Sequence, residues 1–367
     1  MPTETTPPKA DEFEISIFGP GRGECVLIHL GQNEWCVVDS CVSRGRTDPV
    51  AVEYLRSFNN DALANVRLVV ATHWHDDHIR GMASLLSRAP HADFCCSAAL
   101  EKREFLTLIS AASATIPGYS GVDEFAAIIN QLEVRGRKAP KLAVENKLLL
   151  TLSASGRAFP ITLESLSPSD PTIQLALAQI KSLLPQVGTP QRRIVNRTPN
   201  HTSVVIWVEA GPVHALLGAD LEHTSRADQG WTAVLACHCS RHPAHLFKVP
   251  HHGSPTADNA VVWERMLAKD PVAVVTSFAG GSVRLPEESD LKRLSSQTAS
   301  LYCTARFGPG KPPNRDPLVE KEMRRQLSER RVLAGQPGHV RVRWSATESN
   351  PAALIETFNG AYHVNPR

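Results

Sequence analysis

The sequence predicts an α/β protein built as a four-layer αββα sandwich, with two β-sheets packed face to face and helices outside. Short β-type segments alternate with turns in both halves of the chain. The segment Val66–Ala71 is almost fully apolar, as is typical of a strand buried within a layered sheet. Strands in each half end in ionisable residues, and α/β proteins usually place their sites at such strand ends. Each half is therefore predicted to supply one sheet.

The first half is predicted to contain four strands and two helices. Residues 31–33, Gly-Gln-Asn, form a hairpin turn between strands at 25–30 and 34–39, because Gly and Asn favour such turns. The buried strand at 66–71 leads into a loop rich in histidine. The remaining predicted elements of this half are a strand at 14–18, a helix at 49–58 and a helix from near Arg80.

The rest of the chain is predicted to be less regular in the middle and β-rich again afterwards. Predicted helices lie at 98–113, 122–132 and 173–184, and predicted strands at 147–152, 161–166, 203–209, 213–217, 246–250 and 272–277. We expect one domain over residues 12–367, with a partly helical insertion at about 99–199 and a C-terminal extension from about 305. Residues 1–11 are polar and rich in Pro and Thr, which predicts a disordered leader.

Composition places few limits on function. The chain is 42% hydrophobic and 21% charged, ordinary for a globular protein, and its net charge of +2 neither demands nor excludes a polyanionic partner. No apolar run reaches the roughly 20 residues of a membrane span, and no signal-peptide core is present, so the cytoplasm is the expected location. The eight cysteines show no disulfide spacing and are expected to be buried free thiols.

The motif His73-x-His75-x-Asp77-His78 carries the clearest chemical signal. Imidazole nitrogens and carboxylate oxygens are the ligands that zinc and related first-row ions take in proteins. His73 and His75 alternate, so both can face one ion while Asp77 and His78 turn toward a second. A polar loop that is His-rich by chance is the alternative. The buried strand before the motif and further candidate ligands at other strand ends favour a metal site.

The motif resembles that of the metallo-β-lactamase superfamily, and the chain more narrowly resembles the hydrolase domain of the DNA-uptake protein ComEC. The Lys248-Val249-Pro250-His251-His252-Gly253-Ser254 segment is similar to that family's "KVPHHGS". Further similar segments are Gly21-Arg22-Gly23-Glu24 at the opening strand, Val37-Val38-Asp39-Ser40 to "IDTG", Leu163-Glu164-Ser165-Leu166-Ser167-Pro168 to "vLsP" and Leu217-Gly218-Ala219-Asp220 to "LTGD".

The resemblance implies two divalent metal ions, with zinc expected and manganese as the alternative. His73 and His75 would hold the first metal, and Asp220 would bridge the two. The expected ligands of the second metal are Asp77, His78 and His251. His201 is the preferred third ligand of the first metal over a solvent-facing role, although Asn200 beside it is also available. His252 could exchange roles with His251 or face the substrate.

The resemblance also implies a reaction, in which a hydroxide bridging two metals attacks a phosphodiester, with a nucleic acid as the expected substrate. Asp77 or His252 would manage the proton. Ser254 would donate to a phosphate oxygen, or would only cap the following segment. Leu285-Pro286 stands where ComEC-like domains usually carry His-Pro, so Ser282 and Arg284 are the remaining substrate-contact candidates.

Other activities remain open. A phosphodiesterase of small nucleotides, a hydrolase of lactones or other esters, and a non-catalytic protein that binds nucleic acid or a partner all fit parts of the pattern. The complete set of candidate ligands favours an enzyme. No membrane contact is expected, and the sequence does not identify protein partners.

Two weaker signals have simpler explanations. Cys237-His238-Cys239 with His242 and His245 could bind accessory zinc, but the spacing matches no zinc module. The basic run at 321–331 could line a nucleic-acid path, although a solvated helix face is the favoured interpretation.

Overall fold

The computed structural model describes most of the chain. The described residues are 4–19, 23–43, 45–58, 61–100, 120–136, 140–155, 157–183, 199–238, 241–280, 283–306, 322, 325, 336–345, 348 and 351–365.

The first sheet is formed by strands from both ends of the chain. Its strands are β1 Glu12–Gly19, β2 Cys25–His29, β3 Trp35–Val38, β4 Val66–Ala71, β5 Asp93–Ser97, β6 Lys141–Ala143, β16 Gly338–Ser345 and β17 Leu354–Phe358. Their order is β17-β16-β1-β2-β3-β4-β5-β6. Strands β3 to β6 run parallel, so the carboxyl ends of β3 and β4 meet at one edge of the sheet.

The second sheet is formed by the central and later parts of the chain. Its strands are β7 Lys147–Leu152, β8 Ile161–Ser165, β9 Ile206–Ala210, β10 Val213–Leu217, β11 Ala244–Lys248, β12 Leu267–Val275, β15 Leu301–Cys303 and β18 Tyr362–His363. Their order is β18-β15-β12-β11-β10-β9-β8-β7. Strands β10, β11, β12 and β15 are parallel, which again places several carboxyl ends at one edge. A separate hairpin joins β13 Phe278–Gly280 to β14 Val283–Leu285.

Helices lie between these strands in the chain. Within the described ranges they are α1 Val50–Phe58, α2 Asp61–Ala64, α3 Asp76–Ile79, α4 Met82–Arg88, α5 Ser120–Val134, α6 Asp170–Leu183, α7 Gly230–His238, α8 Ala260–Arg265 and α9 Glu288–Ser295. Short 3-10 turns occur at Ala98–Leu100, Pro199–Thr202 and His251–Gly253.

Three apolar clusters separate the layers and confirm the predicted four-layer sandwich. The central cluster lies between the sheets and receives alternate residues of each strand, such as Phe13 and Ile15 of β1 and Ile206 of β9. The period of two arises because successive side chains on a strand point to opposite faces. On the outer faces, Trp35 of β3 packs in one cluster with α1 and α4, and Trp207 of β9 packs in the other with α7 and α8.

The expected insertion and the expected C-terminal extension both turn out to supply strands of the two sheets. Within 99–199, β6 forms the edge of the first sheet, whereas β7 and β8 pair at the edge of the second. Beyond residue 305, all eight residues of β16 pair with β1, and β18 joins the second sheet. The helix expected at 98–113 lies mainly outside the described residues.

Residues 4–11, part of the segment expected to be a disordered leader, contact the first sheet. Arg341 and Arg343 of β16 are buried, and their guanidinium groups donate to the carbonyl oxygens of Glu4 and Thr6. A buried guanidinium without partners is costly, so these arginines hold the N-terminal segment against the sheet. Residues 1–3 lie outside the described residues.

Two expectations from composition can be compared with the structure. None of the described helices is long and apolar enough to cross a membrane. The described cysteines are free, and all but Cys237 are buried.

A buried ion pair on the first sheet gives a test of the fold. Glu14 Oε2 accepts from Arg343 Nε at 2.6 Å, and both side chains are almost fully excluded from solvent. We expect Glu14→Gln to lower the free energy of unfolding by about 3–5 kcal/mol, because the guanidinium stays buried without its carboxylate. Urea unfolding measures this loss. Arg226→Ala, which breaks an exposed pair with Asp228, serves as the control and should leave the unfolding midpoint unchanged. An equal unfolding midpoint in the Glu14→Gln and Arg226→Ala variants would contradict a stabilising role for the Glu14–Arg343 pair.

Candidate metal centre

The His73–His78 segment begins where β4 ends and is held by a carboxylate from the neighbouring strand. Asp39, directly after β3, accepts from the backbone N–H and the hydroxyl of Thr72, both at 2.8 Å. Its Oδ2 also accepts from Nδ1 of His78 at 2.7 Å. Because β3 and β4 are parallel neighbours, this contact follows from the sheet order. Asp39 thereby fixes the orientation of the His78 ring and leaves Nε2 facing away from the carboxylate.

The first two histidines of the motif bring their ring nitrogens together. His73 Nε2 lies 3.1 Å from His75 Nδ1, and the His73 and His78 rings are 4.1 Å apart between centroids. His73 Nδ1 lies 3.0 Å from the hydroxyl of Thr72. A proton on one ring, or a cation between them, would satisfy both nitrogens.

The second sheet contributes Asp220 after β10. Its Oδ2 lies 3.3 Å from His78 Nε2 and 4.0 Å from His73 Nε2. The sequence interpretation required these distant segments to meet, and the structure places them together. A carboxylate with both groups of histidines around it is suited to bridge two cations.

The histidine that completes this group is His252, in the 3-10 turn after β11. Its Nε2 lies 3.9 Å from Asp220 Oδ2 and 3.5 Å from Asp77 Oδ2, and Asp77 Oδ2 in turn lies 3.8 Å from His78 Nε2. His251, the residue expected here, points elsewhere. Its Nδ1 is 3.1 Å from Glu222 Oε1 at the edge of the site. His252, and not His251, therefore lies beside the Asp77 and Asp220 carboxylates, which is the arrangement that the sequence left open as an exchange.

The backbone is strained at several residues of the site that follow strand ends. His251 and His252 both have positive φ angles, 45° and 52°, as do Ala219 at 46° and Asp39 at 61°. Non-glycine residues rarely adopt this region, and such strain concentrates at functional sites. The left-handed turn at His251–Gly253 directs the two adjacent imidazoles to different surroundings.

The donor set fits a divalent cation. Nε2 of His78, Nε2 of His252 and Oδ1 of Asp220 are buried and have no hydrogen-bond partner among the described residues. Unsatisfied buried polar atoms are expensive, and a cation coordinated by imidazole nitrogen and carboxylate oxygen would satisfy them.

Electrostatics also favour a cation. Burial alone would raise the pKa of Asp220, but His78 and His252 outweigh it and hold the pKa well below its usual value. Burial likewise opposes ionisation of Asp77, and His78 and His252 again lower its pKa. Burial, with His78 and His75 nearby, lowers the pKa of His73 well below normal. Burial opposes a charge on His78, but Asp220, Glu24 and Asp39 outweigh it and raise the pKa of His78 well above its usual value. Without a metal, a proton on His78 therefore offsets the carboxylates, and a bound cation would displace that proton.

Sequence reasoning did not assign a role to Glu24, the residue directly before β2. Glu24 is buried, and its Oε1 lies 2.5 Å from Lys248 Nζ. The same oxygen lies 3.7 Å from His78 Nδ1, and Oε2 lies 3.8 Å from His252 Nδ1. Glu24, His78, Asp220 and His252 are the group among the described residues whose ligand atoms are close enough to hold a metal. The sequence did offer one signal. Two charged residues stand at the ends of apolar segments, Glu24 directly before β2 and Lys248 at the end of β11.

The third ligand of the first metal has two candidates in the Pro199–Thr202 turn. His201 is half-buried, and burial lowers its pKa despite the nearby charge of Glu222. Asn200 is buried, its Nδ2 lies 3.3 Å from His251 Nε2, and its Oδ1 is unpaired within the described part of the chain. The turn thus buries the amide more deeply than the imidazole that the sequence favoured.

The residues expected to contact substrate differ in their exposure and in their hydrogen bonds. Ser254 Oγ lies 2.9 Å from Thr256 Oγ1 and accepts from the Thr256 backbone N–H, the local capping role that was its alternative. Arg284 is exposed on β14. The β13–β14 hairpin reaches the site, because Phe278 stacks on His252 with ring centroids 5.0 Å apart. Ser282 lies outside the described residues.

Among the described residues, the histidines near Cys237 form no metal-binding group. His245 Nδ1 accepts from the backbone of His214, and His238 Nδ1 accepts from Arg241. These nitrogens are therefore already used, and Cys239 lies outside the described residues. The basic run at 321–331 is outside them too, apart from residues 322 and 325.

Comparison with solved structures finds distant likenesses. YhfI from Bacillus subtilis, a metallo-beta-lactamase fold protein, is 10% identical, with 79% of this chain and 95% of that chain covered and a TM-score of 0.38. A metallo-beta-lactamase motif mutant from Cronobacter sakazakii is 12% identical over 64% and 75%, with a TM-score of 0.35. The short form of human tRNase Z is 11% identical over 72% and 93%, with a TM-score of 0.36. At these scores nothing about activity follows from the likeness.

Comparison with curated proteins gives no significant match. The sequence model of the metallo-beta-lactamase superfamily, however, matches residues 18–276, more than half of the chain. This range contains the His73–His78 segment, Asp220 and His252. The chain therefore belongs to the metallo-β-lactamase superfamily of metal-dependent hydrolases.

Proposed function

We propose that the protein is a phosphodiesterase that hydrolyses nucleic acid with two divalent metal ions. The observation that carries the proposal is the convergence of His73, His78, Asp77 and His252 on Asp220, with unpartnered ring nitrogens facing that carboxylate. The choice of substrate is supported by the resemblance of residues 248–254 to a DNA-uptake hydrolase.

The residues would form two metal subsites that share Asp220. His73 and His75 would hold the first ion, with His201 or Asn200 as the third ligand. Asp77, His78 and His252 would hold the second ion. His252 is preferred to His251 here because its Nε2 is buried beside Asp77 and Asp220, whereas His251 is hydrogen-bonded to Glu222. Zinc suits these ligands, and manganese is the alternative.

When bound, two divalent ions supply Lewis acidity and lower the pKa of coordinated water, so no serine or cysteine nucleophile is required. The protein contributes the placement of the ligands and a proton acceptor. Asp77 is the better acceptor, because its side chain is 15% exposed and that of Asp220 is 3% exposed. His252 directs Nε2 at the carboxylates, which favours a ligand role over proton transfer.

Substrate binding is assigned to the β13–β14 hairpin at the edge of the site. Arg284 is exposed there and pairs in register with Ala279, next to the Phe278 ring that covers His252. A guanidinium in this position suits a phosphate oxygen. Ser254 is a weaker candidate, because its hydroxyl is already engaged with Thr256. Hydrolysis of small nucleotides or of another ester is the main competing activity.

The first test is direct. Purified protein supplied with zinc or manganese should cleave single- or double-stranded DNA or RNA, and the double variant Asp77→Ala/His78→Ala should not. Cyclic nucleotides, lactones and a β-lactam are assayed in parallel. If the protein hydrolyses one of these compounds and leaves nucleic acid uncut, the proposed substrate class is wrong.

The ligand assignment is tested by metal content. We expect His252→Ala to lose one metal ion per chain, because it removes an imidazole from the second subsite. The matched control His251→Ala should keep the wild-type metal content. Elemental analysis after dialysis measures both, and the reverse result would restore His251 as the ligand.

The substrate role of Arg284 is tested by salt dependence. Arg284→Ala should raise KM for a nucleic acid with little change in kcat, and should reduce the slope of log affinity against log salt by about 1. Arg226→Ala removes an exposed arginine outside this hairpin and is the control. Equal salt slopes in the two variants would remove Arg284 from the substrate path.

A further inference from the structure

Glu24 and Lys248 form an ion pair in the interior, with side chains only 2% and 1% exposed. Burying two charges is expensive, and apolar replacements of such pairs are often neutral or stabilising. Lys248 also interrupts the apolar strand β11 at the point where it enters the candidate metal centre. The pair therefore calls for a role other than general stability.

Each charged group is connected to a different part of the site. Glu24 Oε2 accepts from the hydroxyl of Thr276 at 2.6 Å. The same threonine lies against Nδ1 of His252, with its carbonyl oxygen at 3.2 Å and its hydroxyl at 3.1 Å. Glu24 thus orients His252 through Thr276, and Nε2 of the ring is left toward Asp77 and Asp220.

Lys248 connects the pair to the carboxylate of the second sheet. Its Nζ donates to the carbonyl oxygen of Ala219 at 2.9 Å and lies 4.0 Å from Asp220 Oδ1. Ala219 has a positive φ of 46°, so the turn that presents Asp220 is strained and needs support. The hydrogen bond from the Lys248 ammonium group to the Ala219 carbonyl oxygen supplies that support.

The backbone of Glu24 reaches the motif of the first sheet. Its N–H donates to the carbonyl oxygen of Asp77 at 2.9 Å. Gly23, with φ of 105°, permits the approach, since a Cβ there would lie 3.0 Å from that oxygen and 2.7 Å from Cys41 Cβ. One short segment therefore contacts the loop that carries Asp77 and His78.

The geometry points away from Glu24 as a metal ligand, although it is close enough. Both of its oxygens are engaged, one by Lys248 and the other by Thr276. It also faces Nδ1 of His78 and His252, whereas Asp77 and Asp220 face Nε2 of the same rings. Glu24 therefore lies behind the imidazoles.

We propose that the buried Glu24–Lys248 pair is a positioning element that holds His252, Asp220 and Asp77 in place for the second metal ion. The inference rests on the proposed metal centre and not on the identity of the substrate. It assigns no contact with substrate to either residue.

The test is a zinc titration of the full chain against a chromophoric chelator. Glu24→Gln and Lys248→Met should each weaken the affinity for the second, lower-affinity zinc ion by about 10- to 100-fold. The number of zinc ions bound at saturation should not change. The double variant should lose less than the product of the two single losses, because each single change already disables the pair.

Two further variants separate positioning from stability. Thr276→Val keeps the ion pair but removes its link to His252, and should weaken the same zinc ion while the metal-free protein unfolds cooperatively. Glu14→Gln breaks the buried pair with Arg343 on the first sheet and is the matched control. It should destabilise the metal-free protein and leave zinc affinity unchanged.

Several results would overturn the proposal. Zinc affinity within about twofold of wild type in both single variants would remove the positioning role. Loss of one zinc per chain at saturation in Glu24→Gln alone would make Glu24 a ligand. A wild-type chain that binds no divalent ion would overturn this inference and the proposed function together. A wild-type chain that binds zinc but cleaves no phosphodiester would contradict only the proposed function, and the titration would still decide the role of the pair.

Discussion

The arrangement of the molecule around its site depends on one buried carboxylate, Asp220. It lies at the meeting point of the two sheets, within 4.0 Å of ring nitrogens from His73, His78 and His252. An ionised carboxylate without a compensating charge is very costly in such surroundings. The imidazoles alone do not satisfy it, since Oδ1 has no hydrogen-bond partner in the described part of the protein. A divalent cation would satisfy this oxygen, and the fold places imidazole and carboxylate ligands around the position.

The order of the strands in the two sheets brings these residues together. Parallel neighbours end at the same edge, so Asp39 after β3 and His78 after β4 meet without any special loop. The same holds in the second sheet for Asp220 after β10 and His252 after β11. Packing the sheets face to face then joins the two edges. The remaining adjustments are local, and the positive φ angles at these strand ends indicate where the backbone is strained to make them.

The sequence predicted what local patterns encode and missed what long-range geometry decides. Val66–Ala71 and Val213–Leu217 have the predicted bounds, because apolar runs bounded by turns are local signals. The pairing of β16 with β1 joins opposite ends of the chain, and no local pattern announces it. The exchange of His251 for His252 depends on a left-handed turn that either neighbour could have occupied. Glu24 was overlooked because its partner Lys248 lies more than 200 residues away.

The pairing of Glu24 with Lys248 also affects the charge that a substrate meets. Glu24 is neutralised internally by Lys248, so the remaining carboxylates beside the ring nitrogens are Asp39, Asp77 and Asp220. The four positive charges of two divalent ions would exceed these three carboxylates, provided that the imidazoles are neutral ligands. The resulting centre would be positive, and it would attract a phosphodiester more strongly than a neutral ester. An unpaired Glu24 would reduce that excess. In the proposed centre, the buried lysine would therefore support both the placement of the ligands and the binding of an anionic substrate.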